Sequence, residues 1–151
     1  MGKKALVALL PVLTGCVIFT SETGDLQDAL DKNRARWDAA AIADYSMRSQ
    51  RRCFFCGVTF VPVRITVRGD TIDTVTEPDS QTPVAEPVIG TFLTIDELFD
   101  LIQEAITESA SVIAIRYDEV FGYPTDIDID FSRSFRNDEA LFEIGEFQEL
   151  T

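Results

Sequence analysis

Residues 94–131 read TIDELFDLIQEAITESASVIAIRYDEVFGYPTDIDIDF. This stretch changes its hydrophobic period once, and that change decides the fold. Up to residue 107 the apolar side chains Ile95, Leu98, Phe99, Ile102, Ala105 and Ile106 fall on one helical stripe. Thr94 and Glu97 supply the T-x-x-E capping box that opens it. From residue 112 the period drops to two. VIAIRY (112–117) predicts a strand, Phe121-Gly122-Tyr123-Pro124 a turn, and TDIDIDF (125–131) a second strand of strict alternation. A third, weaker strand is expected through Leu141, Phe142, Ile144 and Phe147.

The same order occurs earlier in the chain. Leu26, Leu30, Trp37 and Ala41 recur at helical spacing, predicting a helix over 26–42. Residues 44–54 read as extended, with Tyr45, Met47 and Ser49 on one side. VPVRITVR (61–68) alternates, Gly69-Asp70 is a two-residue hairpin turn, and 71–77 is the return strand. Pro78, Pro83 and Pro87 mark 78–91 as a loop. The predicted class is therefore α+β: two α-β-β-β halves forming one antiparallel sheet, both helices on one face and the other face wet. By analogy of layout this is similar to the PepSY and beta-lactamase-inhibitor-like folds, and such an analogy fixes no function.

Composition narrows the chemistry. The chain has 151 residues, 46% of them apolar, enough for one domain with a core. Its formal charge is −13, which disfavours nucleic acid and adsorption to anionic lipid by charge alone. It contains no histidine, which removes the usual neutral-pH base and the commonest transition-metal ligand. Neither a catalytic constellation nor a cofactor is indicated, and the acidic residues show no spacing that argues for carboxylate-pair hydrolysis.

The N-terminus points to export. Lys3-Lys4 precede an apolar run, Ala5–Leu13, too short to span a membrane, which takes ~20 residues. Leu13-Thr14-Gly15-Cys16 resembles the bacterial lipobox. That likeness implies a signal peptide over 1–15, a lipidated Cys16, a tether over 16–25 and a domain over 26–151, held to the membrane by acyl chains. An ordinary cleaved signal peptide, with Cys16 unmodified, is the plainer alternative. Val17-Ile18-Phe19 would lie against the lipid, and Val17 in place of Asp favours onward transport to an outer membrane in Gram-negative cells.

Cys53 and Cys56 are then an even pair outside the cytoplasm, where a disulfide is expected. A thiol–disulfide redox role is the competing reading. It is disfavoured because GVTFVPVRITV after Cys56 reads as strand, not as a helix that would depress a thiol pKa. Zinc would lack half its ligands.

Three further groups have two readings each. Asp126, Asp128 and Asp130 lie on one side of a strand, ~6–7 Å apart. With Asp118 and Glu119 they could collect Ca²⁺; otherwise they are a solvated face paired with Arg64, Arg68 or Arg116. Phe121, Tyr123 and Pro124, with Tyr117, form a contact tip for a partner or simply close the hairpin over the core. Trp37 is expected in the core, and the proline-rich loop is a connector or a contact region.

Lined up, Trp37, Asp44-Tyr45-Ser46, Arg52-Cys53, VRITV, Phe92, TIDELFDLIQEA, Arg116-Tyr117-Asp118, Gly122-Tyr123-Pro124-Thr125 and Ile127-Asp128-Ile129-Asp130 form a series. It resembles a family of bacterial, often lipid-anchored envelope proteins known as a domain of unknown function, over residues 33–132. The resemblance implies an envelope protein and an α+β domain, and transfers no catalytic residue. The role expected is a non-enzymatic envelope module bound to the membrane through lipid on Cys16. It would contact an envelope protein or ligand, but not nucleic acid.

Overall fold

The computed structural model describes residues 23–52, 61–84, 92–132 and 139–151. Residues 1–22, with the expected signal peptide and Cys16, and also Cys53 and Cys56, lie outside them. The elements run α1 (Thr23–Ala40), β1 (Tyr45–Arg52), β2 (Val63–Arg68), β3 (Thr71–Thr76), α2 (Ile95–Thr107), β4 (Val112–Tyr117), β5 (Pro124–Asp130) and β6 (Glu139–Glu149).

Six antiparallel strands form one sheet in the order β3-β2-β1-β6-β5-β4. Each half is a meander, and the halves join where β1 meets β6. The α+β class and its two α-β-β-β halves are thus present, with the first strand of one half paired to the last strand of the other.

Alternation decides which face each side chain takes. Tyr45, Met47 and Ser49 of β1, Val63, Ile65 and Val67 of β2, and Ile127 and Ile129 of β5 are all buried on one side. Leu98, Phe99 and Ile102 of α2 and Leu30 and Trp37 of α1 cover them. Each fully buried aliphatic or aromatic side chain contributes about 1.5–3 kcal/mol, so this single layer between helices and sheet holds the molecule together.

Local chemistry sets the ends. Thr94 Oγ1 accepts from the Glu97 N–H while the Glu97 carboxylate accepts from the Thr94 N–H, completing the predicted capping box. Gly69 and Asp70 both take positive φ, +53° and +60°, the geometry that suits a tight hairpin between right-twisted strands.

Two elements differ from expectation, and one expected boundary is not among the described residues. The first helix stops at Ala40, and Ala41, expected on its apolar stripe, is exposed at φ +51° because the chain turns there toward β1. Residues 53 and 54, expected to extend the first strand, lie outside the described residues. The last strand, expected to be weak, is the longest at 11 residues and sits at the sheet centre. Its pattern is broken by a bulge. Between Ser46 and Arg48 of β1, β6 advances from Gln148 to Gly145, one residue more than its partner. Ala140, Phe142 and Ile144 point to the helices before the bulge, and Phe147 returns to that side after it.

Candidate functional site

No described helix packs on the second face of the sheet. Cross-strand register places on it Arg64, Arg48, Gln50 and Arg52 from β2 and β1, Glu143 from β6, Asp126, Asp128 and Asp130 from β5, and Arg116 from β4. The face is not uniformly wet, for Ser46 and Leu141 are buried on it.

Its charges are arranged as two arginine pairs, each sharing one carboxylate. Arg48 and Arg64 stand directly opposite each other on β1 and β2. Like charges in that position repel. The Glu146 carboxylate, raised by the β6 bulge at φ +47°, lies between them and pairs with both guanidiniums. One strand further across, Asp126 accepts from Arg116 at 2.8 Å and lies 3.8 Å from Arg52. The hydrogen bond from Arg116 and the charge of Asp126 hold that guanidinium above its ordinary pKa. An open groove of about 560 Å³ borders the first pair, lined by Arg48, Glu146, Val61, Pro62, Glu77 and Ser80.

The aspartate strand therefore lies on the open face, as its alternation predicts. Asp126 is held by arginines, Asp128 is exposed, and Asp130 accepts from the Ser132 N–H. Of the three arginines named as partners from sequence, Arg116 reaches this strand, while Arg64 goes to Glu146 and Arg68 to Asp44. Among the described residues no three Asp, Glu, Cys or His side chains converge as a metal-holding group.

The aromatic turn faces inward. Tyr123 is 7% exposed and packs edge-on against Trp37 and face-on against Phe147. Pro124 is buried and Phe121 half-buried, leaving Val120, 69% exposed, as the apolar tip. The Tyr123 ring thus seats the turn on Trp37 of α1. Asp118 builds the turn: its carboxylate accepts from the Val120 and Phe121 N–H groups, and its N–H donates to the Tyr123 carbonyl. Burial raises the Tyr123 phenol, with Asp118 adding to the shift.

Two buried polar contacts were not read from the sequence. The Tyr45 hydroxyl accepts from the Ile95 N–H at 2.9 Å, capping the first turn of α2 from across the core. Burial pushes this phenol well above its usual range. Trp37 is 4% exposed, as expected of a core residue, and its indole donates to Asp96. Burial raises the Asp96 carboxyl, the indole opposes that shift, and the nearby Asp70 adds to it. The signal for both contacts was a polar tip on an aromatic ring, which needs a partner once buried, but the partners are 50 residues or more away in the chain.

The turn that carries the most specific motif, YD…GYPT, is thus the weld between α1, β4 and β5, and the arginine pairs occupy the face these elements leave uncovered. No curated protein sequence and no solved structure matches the chain. Over residues 29–149 it matches the model described as Family of unknown function (DUF6174), and it belongs to that family.

Proposed function

We propose that this chain is a lipid-anchored, extracytoplasmic binding module of the cell envelope, without catalytic activity of its own, and that it meets its partner through the open sheet face. The observation that carries the reading is the pair of arginine clusters on that face. Four guanidiniums gather around Glu146 and Asp126, with Glu143 and Glu77 beside them, so arginines are concentrated on this one face of a chain of formal charge −13. Such a concentration of guanidinium donors suits a carboxylate or other acidic group on the partner. The anchor is supported by the Lys3-Lys4, apolar-run and Leu13-Thr14-Gly15-Cys16 pattern. An envelope protein is the partner this location supplies.

The test is site-specific photo-cross-linking in the native host. A photoreactive residue at Thr66, mid-strand on the open face, is compared with one at Ala35, exposed on α1. Discrete adducts from position 66 and none from position 35 are expected. Equal labelling from both positions, or none from Thr66, contradicts the assignment of the face.

A further inference from the structure

The two edges of the sheet are not alike. Along β3 the chain folds back on itself: Thr76 bridges Pro83, Val84 N–H donates to the Val75 carbonyl, and Glu77 N–H donates to the Thr82 carbonyl. The exposed Asp73 guards the rest of that edge. β4 has no such cover among the described residues. It is six residues, VIAIRY, with one charge and no proline. An edge of this kind presents an unpaired row of backbone donors and acceptors.

We propose that β4 is a homodimer interface, pairing antiparallel with β4 of a second copy about a twofold axis through Ala114. The choice of a second copy rests on charge complementarity across the edge. Val112, Ala114 and Arg116 share the open face with Asp130, Asp128 and Asp126, their register partners one strand inward. About a twofold on Ala114, Arg116 stands opposite Val112 of the other copy, with that copy's Asp130 behind it and Asp128 diagonal. Strand spacings place those carboxylates about 10 Å from the Arg116 backbone, within reach of the paired side chains. Arg116 has 78% of its side chain exposed, and Asp128 is exposed. On the helix side Ile113 meets Ile115, two half-buried side chains at the margin of the core.

The axis is perpendicular to the sheet. Both helix layers, and with them both copies of α1, therefore fall on one side. With the β3 edge partly closed, pairing ends at two copies instead of running into a filament.

The register makes its own test. Residues facing each other across an antiparallel pair have Cα atoms ~4.5–5.5 Å apart, within disulfide range. Ala114 is exposed, so Ala114→Cys leaves the core untouched. Full-length protein in detergent at physiological ionic strength is mildly oxidised and run without reductant. The controls are the wild-type chain, with its own three cysteines, and Asp128→Cys, one strand in from the edge. Ala114→Cys is expected to give a covalent dimer several-fold above both controls, and adding Arg116→Glu is expected to lower that yield several-fold. Thermal melts matching wild type establish that all three variants fold. A yield from folded Ala114→Cys no higher than wild type overturns the proposal, and so does equal cross-linking by Asp128→Cys.

Discussion

Gly122 occupies a place that no other residue fits. Its φ is +83°, and a Cβ built there would lie 2.5 Å from the Asn33 carbonyl oxygen of α1. The helix therefore rests directly on the backbone of the β4–β5 turn. Gly122→Ala meets both the backbone penalty, ~1–3 kcal/mol, and that collision. Urea unfolding should show a loss of at least that size, and a loss below ~0.5 kcal/mol would mean the turn is looser than described. Asp44 shows the same economy with charge. Its carboxylate accepts from the Gly69 N–H and from Arg68, tying the start of β1 to the β2–β3 turn. First the Gly69 N–H and then Arg68 hold its pKa below the ordinary 3.8. A carboxyl lowered on folding stabilises the fold above its unfolded value and loses that contribution as pH falls through the folded value. Asp44→Asn should therefore melt below wild type at neutral pH, with the gap closing on acidification below 3.8. A gap that does not change with pH would show that the charge plays no part.

At the scale of elements, the helices and hairpins were legible because each carries its own period and its own punctuation. T-x-x-E opens α2, Gly-Asp turns β2 into β3, and IDID alternates through β5. The last strand was underread because the bulge at Gly145-Glu146 shifts its alternation by one residue. A period-two pattern cannot register such a shift, although the strand is long and central. The contact between Tyr45 and Ile95 was illegible for a different reason: it joins β1 to the first turn of α2, 50 residues apart, and only the assembled core brings them together. Removing the hydroxyl leaves a buried N–H unpaired. Tyr45→Phe is expected to cost about 1–3 kcal/mol. Because the contact links the two halves, amide exchange in the first turn of α2 should accelerate as well. Unchanged protection there would show that water or another acceptor replaces the phenol.

The whole molecule is a sheet with a covered face and an uncovered one, and its chemistry divides the same way. The covered face holds the side chains that made the α+β class readable, since burial imposes the periods by which sequence is read. The uncovered face was readable only in outline. Alternation placed Asp126, Asp128 and Asp130 on it, but the pairing of Arg48 with Arg64 depends on the register of β1 against β2, and the reach of Glu146 on a bulge. Neither leaves a local trace. The aromatic turn allows two readings in sequence, contact tip or hairpin closure, because rings beside a glycine and a proline suit both, and the packing of α1 draws Tyr123 inward. In the function we propose, one chain does two things, holding to a membrane by Cys16 and offering the arginine-bearing face outward. Its most direct test is the intact mass of the protein taken from membranes of its native host, with free thiols trapped by an alkylating reagent. The account predicts a chain beginning at Cys16, carrying acyl groups, with Cys53 and Cys56 unalkylated. An unlipidated full-length chain with alkylated cysteines would contradict it.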